Sequence, residues 1–306
     1  MSVITTGNSA RLLQEGVQRV FGQAYDSHEQ QHLMLFDQSA SRKNFEIDAQ
    51  WEGLGLAPVK QEAASTAYDS QQQGFTPKYP NLTYSLGFIV SREEMEDNLY
   101  DLFPKRSKAL AFSMNQTREN VAANVYNRAF NSSYLMTGGD GVELLSTEHV
   151  RGPSDSTTFS NELAVAASLS EVSLEALLVQ IKNAVDARGL NISISGQSLI
   201  VPPDLCFEAE RLLKSSLQTN SANNDINAIR SMGLLPKGSF VNNYLSSATS
   251  WFVKTNCPMG MTHNVRKAVQ FEQDNDFGTS NARFKASYRD AFGWTDPRGL
   301  YGSAGV

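Results

Sequence analysis

Apolar and polar residues alternate in two stretches of the first third of the chain. Residues 45–51 carry Phe, Ile, Ala and Trp at every second position, and residues 82–90 carry Leu, Tyr, Leu, Phe and Val in the same way. Alternation with a period of two predicts β-strands with one covered face. The sequence between them is polar, contains prolines and a glutamine run, and is too long for a tight turn. Residues 45–90 therefore predict a long two-stranded loop that leaves the body and rests on a neighbouring chain.

A long helix is predicted after this loop. Ser91, followed three residues later by Glu94, forms a capping-box pattern that predicts a helix start near residue 92. Pro104 then predicts a kink or a restart, because a proline inside a helix removes a backbone hydrogen bond. Residues 105–130 contain neither Gly nor Pro, which predicts a helix about 39 Å long at 1.5 Å per residue. Its apolar stripe consists of Leu110, Met114, Val121 and Val125.

A second folded region follows the Gly-, Pro-, Ser- and Thr-rich stretch at residues 152–160, which predicts a boundary. Residues 170–185 predict an amphipathic helix with Ser170 as its cap. Residues 199–201 predict a short buried strand, ended by two prolines, and residues 204–217 predict a helix capped by its first residue, an aspartate. The strand-to-helix order indicates a compact α/β or α+β domain. The apolar stripe of the first helix contains Val172, Leu174, Leu177, Leu178 and Ile181.

The two ends of the chain have weaker patterns. Residues 11–36 have a weak helical period interrupted by Gly16 and Gly22, which predicts an arm or appendage. Residues 283–289 alternate basic and apolar side chains, which predicts a strand with the basic residues outside. The remaining residues to Val306 predict turns rich in Gly and Pro. The inward-facing residues of the predicted strand are Phe284, Ala286 and Tyr288.

Composition narrows the classes of protein. A hydrophobic content of 41% is enough for a real core, and the net charge of −6 gives no overall basic field for holding nucleic acid or an anionic membrane. No apolar run approaches the length of a membrane span or a secretory leader, so the chain is expected in the cytosol until something carries it elsewhere. Cys206 and Cys257 lie far apart without a CxxC partner, and we interpret them as small buried apolar residues.

One motif has the spelling of a zinc site. His28, Glu29 and His32 form the HExxH pattern of zinc proteases, in which two imidazoles on one helix face hold the metal and the carboxylate acts as base. A catalytic zinc also needs a third ligand and a rigid scaffold, whereas this segment is rich in glutamine and close to glycines. We therefore prefer a polar arm helix and keep a zinc-dependent hydrolase as an alternative.

The other candidate residues are isolated. His149 and His263 have no obvious partners in the sequence, so we interpret them as satisfied loop or core residues and not as ligands. Asp140 in a Gly-Gly-Asp-Gly sequence fits a turn better than a calcium loop. Lys60 and Lys78 in the long loop are expected to be solvated or to meet another chain. The common dinucleotide, phosphate and acyl-transfer motifs are missing from the sequence. The sequence thus predicts no catalytic, cofactor-binding or metal-binding residue.

Taken in order, the predicted segments resemble a tailed-bacteriophage major capsid protein of the Hong Kong 97 fold, in the branch that includes Mu-like major head subunits. The matching α+β layout is an N-terminal arm at 1–44, an extended β-hairpin loop at 45–90, a spine helix and peripheral domain at 91–160, a compact axial domain at 161–264 and a C-terminal return to the peripheral domain at 265–306. Six phrases in the expected order carry the resemblance: Asn127-Arg-Ala-Phe, Gly139-Asp-Gly-Val-Glu-Leu-Leu-Ser-Thr-Glu-His, Leu199-Ile-Val-Pro-Pro-Asp-Leu, Asn224-Asp-Ile-Asn, Ser250-Trp-Phe and Asp296-Pro-Arg-Gly-Leu-Tyr-Gly.

The resemblance implies a structural protein and not an enzyme. Its members assemble as hexamers and pentamers into an icosahedral head around double-stranded DNA, which they enclose without sequence-specific binding. It implies separate scaffold and portal partners, a possible decoration protein, location in the virion, and assembly in the host cytoplasm. No cofactor is implied. An encapsulin-like cellular compartment, which has the same fold, is the first alternative, and the zinc hydrolase built on His28, Glu29 and His32 is the second.

Overall fold

A computed structural model of the chain describes residues 7–91, 93–94, 102–153, 155–218, 225–276, 278–279 and 281–306. Its helices are α1 (Gly7–Asp26), α2 (His32–Leu35), α3 (Leu102–Asn127), α4 (Glu171–Lys182), α5 (Cys206–Lys214) and α6 (Ala228–Ser231), with 3-10 turns at Pro203–Leu205 and Pro297–Gly299. Its strands are β1 (Asp37–Ala40), β2 (Phe45–Ile47), β3 (Lys78–Pro80), β4 (Leu82–Val90), β5 (His149–Gly152), β6 (Asp155–Phe159), β7 (Gly196–Val201), β8 (Ser239–Val241), β9 (Trp251–Thr255), β10 (Met261–Asn275), β11 (Ala282–Trp294) and β12 (Leu300–Ser303).

One four-stranded sheet, in the order β1-β10-β11-β4, forms the peripheral layer of the molecule. Its centre is the long hairpin of β10 and β11, and β4 runs antiparallel along the outer side of β11. The predicted alternation in β11 is confirmed, because Phe284, Ala286 and Tyr288 are all buried. Ala286 and Tyr288 share a core cluster with Phe21 of α1 and with Leu110 and Met114 of α3, and Phe284 lies in a second cluster with Val17 of α1.

The spine helix α3 crosses this sheet. It begins at Leu102, so that Pro104 falls in its first turn, where a proline removes no intrahelical hydrogen bond. It ends at Asn127, three residues before the predicted end. The predicted start of a helix near residue 92 lies mostly outside the described residues, although the backbone N–H of Glu94 donates to Ser91 Oγ at 3.2 Å, as a capping residue requires.

The predicted N-terminal arm is attached to the body of its own subunit. Val17, Phe21 and Tyr25 on α1 are buried against the spine helix and the peripheral sheet. After the turn that follows α1, strand β1 pairs in parallel with β10, from Asp37 opposite Thr262 to Ala40 opposite Val265. Although the sequence of α1 is polar and contains two glycines, the helix packs against the body, because its few apolar residues recur once per turn on one face.

A second four-stranded sheet, in the order β12-β9-β7-β8, lies under α4 and α5. The Ser170 cap is confirmed, since its hydroxyl accepts from the backbone N–H of Ser173 at 3.2 Å. Val172 was placed on the apolar stripe of this helix, but 72% of its surface is exposed, so the buried stripe is narrower than predicted. Leu174, Leu177, Leu178 and Ile181 are buried as expected.

Two other local predictions for this layer are wrong. Asp204 caps no helix: it lies inside a 3-10 turn, and the following helix α5 ends at Lys214 instead of residue 217. The C-terminal residues were expected to form turns alone, yet β12 pairs with β9, from Leu300 opposite Lys254 to Ser303 opposite Trp251. The short sequence Leu-Tyr-Gly-Ser lacks a visible period, which is why alternation could not identify it.

In the part of the chain that the structure describes, we find no helix of sufficient length and apolarity to cross a membrane.

Candidate assembly surface

The long loop leaves the peripheral layer as a two-stranded ribbon. Strands β2 and β3 pair from Phe45 opposite Pro80 to Ile47 opposite Lys78. Beyond them the pairing continues through backbone bonds, of which the bond from Glu52 N–H to the Gln72 carbonyl, at 3.0 Å, is the most distant. The predicted hairpin is therefore confirmed, but residues 82–90 are not its second strand. They form β4 of the peripheral sheet, which pairs antiparallel with β11 and stacks Tyr84 and Phe88 on Tyr288 and Phe284 of that strand.

A close backbone contact fixes the direction of the ribbon. The N–H of Thr76 donates to the Gly138 carbonyl at 2.9 Å, and the N–H of Lys78 donates to the Thr137 carbonyl at 2.8 Å. Gly138 has a φ of +81°, and a Cβ there would lie 2.2 Å from the Thr76 carbonyl oxygen. Only glycine fits both the left-handed backbone and the close approach. The base of the ribbon is thus joined firmly to the segment that follows the spine helix.

The tip of the ribbon, residues 53–71, presents apolar side chains to solvent. Val59 is 96% exposed and Tyr68 is 95% exposed, and Leu56 is 81% exposed. The ribbon itself adds Phe45, Ile47 and Trp51, all exposed despite the alternating pattern that predicts a covered face. Exposed apolar groups in such a concentration indicate a surface that another molecule covers.

One ion pair holds the tip close to its own subunit. Arg188 donates to the Asp69 carboxylate and to the Ser70 carbonyl, each at 2.5 Å, and the N–H of Gly55 donates to the same carboxylate at 2.8 Å. The bond from Gly55 and then the bond from Arg188 lower the pKa of Asp69. The Arg188 and Asp69 side chains are both accessible to water, so this ion pair, which we call the clasp, contributes little to stability.

The edge of the peripheral sheet is a second exposed surface. Strand β4 has no neighbour on its outer side among the described strands, and Leu82, Leu86 and Ile89 are each about half exposed. An unpaired strand edge with exposed apolar residues is a ready site for association between chains. A cleft beside it, of about 390 Å³, is lined by the spine helix and by Tyr134, Leu135 and Met136.

The inside of the molecule contains a polar cluster that joins three parts of the chain. His32 Nδ1 lies 2.5 Å from Glu119 Oε1, and the backbone N–H of His32 donates to Glu119 Oε2 at 2.8 Å. Arg118, the neighbour of Glu119 on α3, donates through Nε to Asp290 Oδ2 at 3.0 Å and through Nη1 to the Tyr25 hydroxyl at 2.8 Å. Every one of these residues is buried, so the cluster connects α1, α2, α3 and β11 in one fixed arrangement.

His263 completes this cluster. Its Nε2 lies 3.2 Å from Asp290 Oδ2, and its ring stacks on Phe292 with centroids 4.1 Å apart. Burial, the largest influence, lowers the pKa of His263 below its ordinary value of 6.5, and the nearby His32 and Arg118 lower it further, whereas Asp290 raises it. The neutral imidazole is therefore the form that the fold favours.

This lowered pKa predicts that the fold weakens in mild acid. The unfolded chain binds a proton on residue 263 as the pH falls below 6.5, and the folded chain binds it only at lower pH, so the free energy of unfolding decreases in that interval. Urea unfolding between about pH 7.5 and about pH 5.5 should show the decrease. A His263→Asn variant should lose much of it, and His28→Ala, which changes a partly exposed histidine outside the buried cluster, should keep it. A pH slope that is identical in all three proteins would contradict this assignment.

The structure separates the residues of the HExxH motif. His28 to Gln31 form a turn between α1 and α2 and no continuous helix. His28 packs against Phe112 with ring centroids 5.1 Å apart, while His32 points to Glu119 in the interior. Among the described residues, no group of three or more His, Cys, Asp or Glu side chains is arranged to hold a metal ion. The two imidazoles therefore do not share the face that a zinc site requires.

The remaining candidate residues have structural contacts. His149 and His263 were expected to be satisfied loop or core residues, and the structure gives each a partner: His149 pairs with Asp140 at 2.5 Å and stacks on Phe159, and His263 contacts Asp290. The partners come from sequence-distant or turn positions, which no local pattern indicates. Asp140 is thus a turn residue with a partner.

The loop lysines and the two cysteines also show no arrangement that indicates a site. Lys60 is exposed, and Lys78 lies over the Phe45 ring at 4.2 Å. Both cysteines are free; Cys257 is buried as predicted, and Cys206 is only partly buried. Burial raises the pKa of the Cys257 thiol, which makes this group inert at neutral pH.

Comparisons with known proteins agree with this geometry. A family model described as phage capsid protein matches residues 77–303. No curated protein matches the sequence.

Solved structures with the same fold come from bacteriophages and from a virus-like particle. The procapsid of bacteriophage JBD30 has a chain that is 13% identical, with a TM-score of 0.54, over 98% of this chain and 76% of that one. A chain from Microbacterium phage Oxtober96 is 9% identical with a TM-score of 0.53 over 90% of each chain. A virus-like particle from Pyrococcus furiosus is 12% identical with a TM-score of 0.50 over 94% of this chain and 98% of that one. At these identities the likeness establishes the fold alone.

Proposed function

The chain belongs to the phage capsid protein family and is a major capsid protein of the Hong Kong 97-like fold, and from this premise we propose that hexamers and pentamers of it close an icosahedral head around double-stranded DNA. The observation that carries the proposal is the exposed apolar tip at residues 53–71, with Val59 and Tyr68 almost entirely in solvent. A chain that covered this surface with its own residues would gain its stability within the monomer. Here the surface is available to a neighbour.

The geometry favours a structural role over an enzymatic one. The cluster of His32, Glu119, Arg118, Asp290 and His263 is sealed inside the molecule, where no substrate reaches it. Its side chains pair with one another and connect the spine helix to both the N-terminal segment and β11. The separated HExxH residues argue against the zinc hydrolase in the same way.

The alternative of a cellular compartment uses the same fold. The virus-like particle from Pyrococcus furiosus is a structural neighbour at a TM-score of 0.50, but the family model that matches this chain is that of phage capsid proteins. This match favours the virion as the site of the assembled protein. Assembly in the host cytoplasm, separate scaffold and portal proteins, a decoration protein and a place in the Mu-like branch form the finer part of the proposal.

Electron microscopy of the purified protein, combined with light scattering over a concentration series, tests the function. We expect closed shells, tubes or rings of capsomers above a threshold concentration, because association between subunits depends on their concentration. Supplying a scaffold protein expressed from the same genome covers the case in which the subunit needs help to assemble. A compact monomer at every concentration, with the scaffold present, would refute the proposal.

A further inference from the structure

A cleft of about 390 Å³ lies between the spine helix and the edge strand β4, and most of its lining is apolar. The C-terminal part of α3, strand β3, the start of β4 and the end of β11 form its walls, together with residues 134–137. Leu82 and Leu135 in this lining are 54% and 46% exposed, although both are large apolar side chains. The cleft therefore offers apolar surface that no described part of its own subunit covers.

Two cations accompany the apolar lining of the cleft. Lys78 lies over the Phe45 ring at 4.2 Å, and the Arg128 guanidinium lies over the Tyr134 ring at 5.3 Å. Both cations line the cleft and are exposed, and neither forms an ion pair with a carboxylate of the described residues. The cleft thus combines an apolar interior with positive charge that no described carboxylate neutralises.

The tip of the ribbon has the complementary composition. Its Val59 and Tyr68 side chains have 96% and 95% of their surface exposed. Glu62 and Asp69 are its two carboxylates and Lys60 is its one cation, so the tip is negative overall. An apolar, negative protrusion is the complement of an apolar cleft that has unpaired cations.

The tip and the cleft are apart within one subunit. Hydrogen bonds to the Thr137 and Gly138 carbonyls anchor the base of the ribbon beside the cleft, because Thr137 and Lys78 are both lining residues. The clasp holds the tip at Arg188, which is not one of the lining residues. About 15 residues separate the base from Glu62, and they can extend at most about 50 Å. The tip of one copy can therefore reach the cleft of a copy beside it, in a head-to-tail contact.

We propose that the cleft receives the ribbon tip of a neighbouring subunit, with the apolar side chains of the tip inside the cleft and Glu62 close to Arg128. The proposal rests on the proposed function, which places further copies of the chain beside each subunit, and it names the surface that covers the tip. The contact joins two different surfaces, so every subunit both gives a tip and receives one. Repeated about a symmetry axis, such a heterologous contact closes a ring of subunits.

Disulfide cross-linking between two variants tests the contact. Subunits with Tyr68→Cys, carrying a tag that increases their mass, are mixed with untagged Leu135→Cys subunits, assembled with the scaffold protein, and oxidised. Both positions are exposed, so the substitutions leave the fold intact. We expect a mixed dimer on a non-reducing gel, since the two cysteines meet only when one chain reaches the cleft of another. The unmodified chain, treated in the same way, gives the background from Cys206 and Cys257.

Val172→Cys is the matched control for the receiving position. It also replaces an apolar residue with 72% of its surface exposed, but this residue lies on α4 and does not line the cleft. Mixed with Tyr68→Cys subunits, the Val172→Cys subunits should give no dimer above the background.

A charge reversal tests the electrostatic part of the contact. Arg128→Glu should raise the concentration at which shells appear several-fold, because it places a carboxylate opposite Glu62. Glu62→Arg in the same chain should restore assembly, since the two reversed charges again attract each other between neighbours. Circular dichroism confirms that each variant is folded, so a loss of shells reports on the contact.

Several results would overturn the proposal. Shells that form without the mixed dimer, or a dimer equally abundant with Val172→Cys, would show that the tip lies elsewhere on the neighbour, and either result would leave the capsid function intact. An Arg128→Glu chain that assembles normally, or one that Glu62→Arg fails to restore, would contradict the placement of Glu62. Failure of the unmodified chain to form shells with its scaffold would instead refute the proposed function itself.

Discussion

An Asp290→Ala subunit is expected to lose about 3–5 kcal/mol of its free energy of unfolding, because the substitution leaves the buried Arg118 guanidinium without its carboxylate. It also removes the partner of His263. The loss is large compared with the total stability of a typical domain, so much of the protein should be unfolded or insoluble at growth temperature. Urea unfolding followed by tryptophan fluorescence measures the change.

Asp276→Ala provides a matched control on the same hairpin. Asp276 also pairs with an arginine, Arg283, but this pair lies in solvent, so we expect no measurable change in the unfolding midpoint. Equal destabilisation by the two substitutions would contradict the role given to the buried cluster. A neutral effect of Asp290→Ala would do the same.

Replacing residues 54–70 by a short Gly-Ser linker is expected to give a folded, soluble subunit that forms no closed shells. The removed tip buries little of its surface within the monomer, and the bond from Glu52 N–H to the Gln72 carbonyl stays to close the ribbon. In the lattice, each buried apolar side chain of the size of Val59 or Tyr68 would contribute about 1.5–3 kcal/mol, summed over every subunit contact. Electron microscopy and sedimentation compare assembly before and after the change.

The Arg188→Ala variant distinguishes the contribution of the apolar side chains of the tip from that of the ion pair with Asp69. This variant keeps every apolar residue of the tip but removes the ion pair with Asp69 and the bond to the Ser70 carbonyl. It should assemble at least as readily as the unmodified chain, because the tip is then free to reach a neighbour. Normal shells from the linker variant, or failure of the Arg188→Ala variant to assemble, would argue against the tip as the lateral contact.

The sequence predicted those parts of the fold in which the local pattern of residues also decides which side chains are buried. Alternation identified the inward face of β11 because Phe284, Ala286 and Tyr288 all meet one helical layer. The spine helix and the Ser170 cap were found for the same reason, since helix boundaries depend on nearby residues. The two-stranded loop was predicted because residues 52–77 contain too few apolar residues to form a core of their own.

The parts that were missed depend on contacts between distant residues. Nothing local links His32 to Glu119 or Arg118 to Asp290, which are separated by 87 and 172 positions in the sequence. The exposed edge of β4 was missed for a different reason: the regular alternation predicts a strand with one covered face, yet Leu82 and Leu86 on that face are exposed and only Val90 is fully buried.

Strand β12 has a consequence for the order of events during synthesis. It pairs with β9, and its Tyr301 lies in the same apolar cluster as Trp251 and Leu177. The second sheet therefore remains without one side until residues 300–303 have emerged from the ribosome, long after its other three strands. A chain cut short before this point would expose the flank of β9 and attract proteases or chaperones. Within its sheet β12 is the last strand to be made, so a chain cut between β9 and β12 would carry a second sheet that lacks one flank.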